Sequence, residues 1–351
     1  MDTQKTDVKI EFRKPNYPIL PPLEAYLDTY SRTTKTRILY DDLLRFQGCI
    51  ALEDKDGNDT LWLRVYYNEF ERMEIEAALN KVYTLLHSDG DEQTLPFLTV
   101  DSIDYCTFGN SKPFRVKVRN ILNDNFTNFY IKKADASRIF GLELEDILSQ
   151  NRINFLIYKD TLIEEHIIGI PGDVFIKDFL PKCSKQEQAQ IAKEFVKFNE
   201  RCFLGLLGDM RSYNYVIIPI HDFDHVQYRI RPIDFDQQSY EGNPKIYFPQ
   251  FYKENFTMVK LVLDHLLPTS VEQYRKEVRS VISKRVNSSQ ERLNHLLDLM
   301  SQQELAPQEH VDNLKHALNK ITREVSFKKA TTMGEIVRIG LNLVVKNYKI
   351  S

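Results

Sequence analysis

GDMRSYNYVI, residues 208–217, sets an acid, a base and an amide immediately ahead of an apolar, extended run. Tyr215 to Ile220 reads as a strand and HDFDH (221–225) as a polar turn. VQYRIRPI then alternates Val226, Tyr228 and Ile230 against Gln227, Arg229 and Arg231, which predicts an antiparallel hairpin. Its open end sets Asn214 beside Asp234. Asp209 sits on the turn just before, and Asp236 projects from the same side as Asp234 if the backbone stays extended. Carboxylates gathered this way raise one another's pKa or recruit a counter-charge. A few partly open oxygen ligands suit Mg2+ held jointly with phosphate oxygens.

The order along the chain carries more information than the composition. Asp209, then Asn214 five residues on, a hairpin, and Ile233-Asp234-Phe235 reproduce the sequence of parts used in phosphoryl transfer. These parts are an acid that orients the attacking hydroxyl, an amide on a metal ion, and a second acid on the metal. Arg211 is placed to offer positive charge to the transferred group.

On these residues the segment resembles the catalytic and metal-binding loops of the protein-kinase-like superfamily, in particular its aminoglycoside and choline phosphotransferase branch. That branch reads H-G-D-x-x-x-x-N and I-D-[FW]-[DE]. Here the chain has Leu207-Gly208-Asp209 through Asn214, and Ile233-Asp234-Phe235-Asp236; Leu207 stands where the branch has a bracing His. The resemblance implies ATP and Mg2+ as cofactors, Asp209 as catalytic base assisted by Arg211, and Asn214, Asp234 and Asp236 as the metal-holding residues.

Further parts occur upstream in the expected order. FYIK ends on Lys132, with Tyr130 and Lys132 on one strand face and Phe129 and Ile131 on the other. The resemblance assigns Lys132 to the α- and β-phosphates, with Lys133 the alternative because one residue of register exchanges the faces. In the helix that follows, Ile139, Phe140, Leu144, Ile147 and Leu148 form one face and Glu143 falls inside it, while Glu145 points away. An acid among apolar neighbours calls for a cation, which makes Glu143 the expected partner of Lys132 and Glu145 the alternative. The turn Gly109-Asn110-Ser111 is similar to the Gly-Ser/Asn turns that cover phosphates through backbone N–H groups. LIEEHIIGIPG, residues 162–172, resembles the hinge strand V-x-E-x-I-x-G, whose backbone around Glu165, His166 and Ile167 would take the adenine edge.

The chain has 351 residues, 47 of them Lys or Arg and 50 Asp or Glu; a net charge of −3 gives no global pull toward nucleic acid or an anionic membrane. The opening MDTQKTDVKIEF lacks the apolar core of a signal peptide and no run of about 18 apolar residues is present, so a soluble cytoplasmic protein is expected. Cys49, Cys106, Cys183 and Cys202 lack metal-site or disulfide spacing and read as buried thiols. Trp62 reads as core. The basic run at 274–285, mixed with acids and apolar residues, reads as a solvated helix face, and His221 and His225 as parts of a solvated turn.

Residues 1–22, with four prolines, read as an arm laid over a surface. A hairpin is expected around Lys55-Asp56-Gly57-Asn58, and a helix from Ser184, whose spacing to Glu187 fits a capping box. The fold expected is α+β and two-lobed: an accessory α/β region over 1–98, a small antiparallel N-lobe with one helix over 99–168, and a helical C-lobe over 169–351. The function expected is phosphoryl transfer from ATP to a hydroxyl of a small-molecule or protein acceptor. A nucleotide-binding or docking pseudokinase, and nucleotidyl transfer on the same fold, are the alternatives.

Overall fold

The computed structural model describes residues 14–87, 90–221 and 226–348. The chain forms two compact units. One comprises Pro18–Asp135 with Ile153–His166, and the other takes Ala136–Arg152, Ile167 onward and the stretch ending at Tyr17. Among the described residues no helix is long and apolar enough to cross a membrane.

The first unit is built on a sheet. After two helices, α1 (Pro21–Thr29) and α2 (Tyr40–Leu43), come β1 (Gly48–Glu53), β2 (Asp59–Tyr66), the long helix α3 (Glu69–His87), β3 (Leu98–Cys106), β4 (Phe114–Asn120), β5 (Asn125–Lys133), β6 (Phe155–Tyr158) and β7 (Thr161–Glu165). They make one seven-stranded sheet in the order β1-β2-β3-β4-β5-β7-β6, each neighbour antiparallel. The rim at β6 is covered by Thr33, which bridges Ile157.

Alternation along the strands separates two faces. Val65, Ile103, Phe114, Val116, Phe129, Ile131 and Ile163 form the core with Leu79, Val82 and Leu86 of α3. On the other face, directly paired residues form a polar row across five strands: Arg64 opposite Asp104, then Arg115, Tyr130 and Glu164. Asp104 is buried, and Arg64 Nε at 3.0 Å and Arg115 Nη2 at 2.9 Å compensate it from both neighbouring strands. Trp62, expected in the core, lies half-buried with the Arg115 guanidinium 4.5 Å above its ring.

The boundary expected at 98/99 is not a boundary. β1 and β2 belong to the same sheet as β3, and the polar loop after α3 leads the chain back into it. A short polar connection has the same composition whether it joins units or elements within one.

The second unit is mostly helical. It contains α4 (Ala136–Leu148), β8 (Ile170–Pro171), α5 (Gly172–Val174), α6 (Lys185–Gly205), β9 (Tyr215–His221), β10 (Val226–Pro232), α7 (Phe256–His265), α8 (Pro268–Ser288), α9 (Gln290–Gln302), α10 (Gln308–Thr322) and α11 (Met333–Asn347). Helix α4, expected in the N-lobe, groups with these elements. Ser184 caps α6 in a full capping box with Glu187, as the spacing predicts, and Ile191, Phe195, Phe198 and Cys202 are buried. The hairpin β9–β10 pairs Pro232 with Tyr215 at its open end. His221 is exposed at the opposite, turn end of the hairpin, while His225 lies outside the described residues.

Two expectations about side chains fail here. Of the four thiols only Cys202 is buried, and Cys49 is exposed on β1. The basic run on α8 is not a purely solvated face: Arg279 Nε lies 2.6 Å from buried Glu200 of α6, and Arg285 Nε donates to the Ile147 carbonyl at the end of α4. The residues at 1–13 of the expected arm lie outside the described residues, and its last two prolines begin α1.

Helix α11 crosses α9 where Gly334 faces its backbone. A Cβ there would stand 2.4 Å from the Met300 carbonyl carbon, whereas one at Gly340 meets nothing within 4 Å. Gly334→Ala is expected to destabilise by about 2–3 kcal/mol through forced separation of two backbones. Gly340→Ala is expected to stabilise by about 0.5–1 kcal/mol through helix propensity. Urea unfolding of the pair checks both signs.

Candidate functional site

The stretch from 206 to 214 is held by the helical unit at several backbone points. Leu206 ends α6 in the left-handed conformation, Leu207 bridges Gln238, and the Gly208 N–H donates to the Gln237 carbonyl at 3.1 Å. The turn beginning at Asp209 is therefore fastened to the segment that follows Asp234.

Asp209 itself has φ of +56°, a region costly for a residue with a Cβ. The neighbours fix it. Its N–H donates to Tyr252 Oη at 3.0 Å, and that hydroxyl donates to the Ile246 carbonyl at 2.8 Å. Asn255 Nδ2 donates to the Met210 carbonyl at 2.8 Å, and Tyr215 Oη donates to Asn255 Oδ1. Residues 252–255 thus hold the loop, a role that no local pattern in the chain announces.

Asn214 joins the Asp209 turn to the Ile233–Asp234 segment. Asn214 Nδ2 donates to the Asp209 carbonyl at 2.7 Å, and the Asn214 carbonyl accepts from Ile233 N–H at 3.0 Å. Burial pushes the Asp209 carboxyl up to about 6; the Arg211 hydrogen bond opposes that shift, and the Asp234 charge adds to it. Arg211, expected to face a phosphoryl group, is instead committed within the loop. Its Nε lies 2.7 Å from Asp209 Oδ1 and its Nη1 2.9 Å from Glu254 Oε1.

Asp234 and Asp236 meet a cation that sequence reading missed. Arg138, in the first turn of α4 and only 1% exposed, pairs through Nη2 with Asp236 Oδ1 and approaches Asp234 Oδ1 at 3.5 Å through Nη1. Lys14 Nζ donates to the Asp236 carbonyl at 2.7 Å. A buried arginine near a helix start reads in sequence as an ordinary polar residue, because its partner Asp236 lies 98 residues away.

Asn214 and Asp234 each leave an oxygen for a metal ion, whereas Asp236 Oδ1 is taken by Arg138. The amide nitrogen of Asn214 is engaged with Asp209, which turns its oxygen away from that residue. Asp234 Oδ1 accepts from the Asp236 N–H at 3.1 Å, leaving the second oxygen of a half-buried carboxylate. One amide oxygen and one carboxylate oxygen, completed by phosphate oxygens and water, match the sparse protein ligation of Mg2+. Among the described residues no three His, Cys, Asp or Glu side chains are grouped to hold an ion by themselves.

On the sheet unit, Lys132 is buried and Lys133 is exposed. Lys132 Nζ lies 2.5 Å from Glu164 Oε2, while half-exposed Lys133 lies 3.6 Å from Asp41. Glu164, one strand over on the same face, is thus an acid partner of Lys132 that the sequence reading did not name. Glu143 is fully buried within the helical unit, where Arg292 of α9 forks onto both its oxygens at 2.7 and 2.8 Å and also reaches Asp146. Glu145 is the acceptor for Asn151 Nδ2 at 3.5 Å.

The remaining expected contacts are backbone positions. Gly109, Asn110 and Ser111 form the turn between β3 and β4, tied down by Thr107 N–H on the Leu61 carbonyl and by Tyr40 Oη on the Lys112 carbonyl. Glu165 ends β7 opposite Phe129. His166 Nδ1 stands 3.2 Å from Tyr130 Oη, and burial, aided by the Arg115 charge, depresses its pKa. Ile167 is half-buried at the start of the other unit.

Comparison with protein-family models and with curated proteins found no match to this sequence.

The raised pKa of Asp209 has a thermodynamic sign. The folded state keeps its proton up to about pH 6 while the unfolded chain releases it near 3.8, so this group's contribution to stability falls as pH rises across that window. Asp209→Asn removes the titration. In metal-free protein, wild type is expected to lose on the order of 2 kcal/mol relative to the variant between pH 4 and 7. Parallel urea titrations measure the difference.

Proposed function

We propose that the chain transfers the terminal phosphoryl group of ATP to a hydroxyl of an acceptor, using protein-kinase-like machinery. The observation that carries this reading is the gathering of Asp209, Asn214 and Asp234, in that chain order, at the open end of the β9–β10 hairpin. The sheet adds support. β3-β4-β5-β7-β6 is a five-stranded antiparallel array, with α4 inserted in the chain between β5 and β6 and the buried lysine on β5, as the resemblance implies.

In this reading Asp209 accepts the proton of the acceptor hydroxyl. Its Oδ1 is occupied by Arg211, so Oδ2 is the accepting atom, and a carboxyl near pH 6 is a better base than an exposed one. The acceptor oxygen bonds to the γ-phosphorus as the bond to the β-phosphate oxygen breaks, releasing ADP. Asn214 and Asp234 would hold Mg2+, which supplies neutralisation of phosphate charge. Lys132, positioned by Glu164, is assigned to the α- and β-phosphates; the 109–111 turn and the backbone at 165–167 are assigned to nucleotide contacts.

One observation favours a second reading, a silent kinase-like docking module. All three acids already face guanidinium groups: Asp209 that of Arg211, and Asp234 and Asp236 that of Arg138. The two readings separate on Asp209→Ala. If the chain transfers phosphate, ADP release is expected to fall by about 100-fold or more while ATP binding, followed by thermal shift, is retained. No ADP release from wild type, with normal cellular behaviour of the variant, would establish docking. Pyrophosphate in place of ADP would mean nucleotidyl transfer.

Lys132→Met gives a further check. Loss of the buried ammonium is expected to weaken ATP affinity at least tenfold, measured by calorimetry, whereas Lys133→Met is expected to leave it unchanged.

A further inference from the structure

Asp236 occupies the position from which a third metal ligand was expected, yet its surroundings are those of an acid already neutralised. Arg138 Nη2 pairs with its Oδ1, and Lys14 Nζ donates to its carbonyl at 2.7 Å. The same guanidinium approaches Asp234 Oδ1 at 3.5 Å through Nη1. One planar cation thus spans both carboxylates.

Arg138 is held there by the helix that carries it. Ser137 Oγ donates to the Gln238 carbonyl at 2.7 Å, on the chain segment just past Asp236. One turn later Gly141 lies so close that a Cβ would stand 3.0 Å from the Phe235 ring and 3.1 Å from Gln238 Oε1. The start of α4 is pressed against residues 235–238, and the Arg138 side chain is buried there. Guanidinium keeps its charge at every accessible pH, and its fixed fork suits paired carboxylates better than an ammonium would.

A divalent ion cannot share those oxygens on equal terms. Binding at Asp236 Oδ1 would bring a metal against the Arg138 N–H groups, and the repulsion between a fixed monocation and a divalent cation at that range is large in a buried setting. We propose that Arg138 is a built-in cation standing in place of a second metal ion, so that the site takes one divalent ion, through Asn214 and the outer oxygen of Asp234, and none through Asp236. This rests on the phosphotransferase reading for the identity of the nucleotide but not for the role of Arg138.

The test is titration of Mn2+ into the full chain, with free Mn2+ read by electron paramagnetic resonance, alone and with a non-hydrolysable ATP analogue. Wild type with the analogue is expected to take one Mn2+ per chain; two would overturn the proposal. Asp236→Asn is expected to change Mn2+ affinity by less than about threefold, and a tenfold loss would overturn it. Arg138→Met, provided its circular dichroism matches wild type, is expected to gain a second ion or at least tenfold in affinity for Mn2+ alone. If wild type binds no analogue, the phosphotransferase reading falls, and the titrations with Mn2+ alone still decide the role of Arg138: unaltered affinity in Arg138→Met, or lost affinity in Asp236→Asn, overturns it. Should Arg138→Met fail to fold, Asp236→Asn carries the decision.

Discussion

Charge compensation between residues far apart in sequence is the constraint on which the helical unit depends. Arg138 with Asp234 and Asp236, Arg292 with Glu143, and Arg279 with Glu200 each place a guanidinium on an acid drawn from another element, and in each pair at least one partner is buried. Deleting one member of such a pair leaves a charge in a poor dielectric, which costs more than the pair contributes when intact. The helices are therefore tied by specific acids and bases as well as by apolar packing. Helix α4 is the central case: Arg138 joins it to the Asp234 segment, Glu143 joins it to α9, and its last carbonyls accept from Arg285 of α8.

The sheet unit uses the same chemistry in a different geometry. Across β2 to β7 the polar row of Arg64, Asp104, Arg115, Tyr130 and Glu164 follows the strand pairing itself, residue opposite residue. Lys132 pairs with Glu164 from the same face, and burial, aided by the charge of Arg115 in the row, lowers the pKa of His166. Because side chains alternate strictly, sliding one strand by a single residue would carry Asp104 or Glu164 into the apolar face against α3. The row and the core therefore specify the same register.

How much of this was legible in the sequence depends on the range of the interaction. The β9–β10 hairpin, the Ser184 capping box, the strands flanking Lys132 and the helix after it follow from patterns within a few residues, and their positions agree with the chain as folded. The link that Asn214 makes between the Asp209 turn and the Ile233–Asp234 segment was legible too, because a hairpin returns the chain to its own start. What the sequence withheld is long-range partnering. Glu143 was visibly an acid on an apolar face, but nothing local says that its forked partner is Arg292, 149 residues on. Tyr252, Glu254 and Asn255, which fasten the Asp209 loop, carry no periodic pattern. The boundary drawn at residue 98 failed for a related reason: strand pairing, not loop composition, decides which elements share a sheet.

The two rims of the seven-stranded sheet are finished differently. At β6 the chain near Thr33 closes the outer side, but along β1, from Gly48 to Glu53, no described residue takes up the outward backbone groups, and exposed Ile50 sits among them. Glu53 is the only charged side chain on that strand. Natural sheets discourage stray pairing with lysines, prolines or bulges, and this rim has a single irregularity near its end. An uncovered strand edge of this kind is a template on which a strand of a second copy can continue the hydrogen-bond ladder without disturbing either interior.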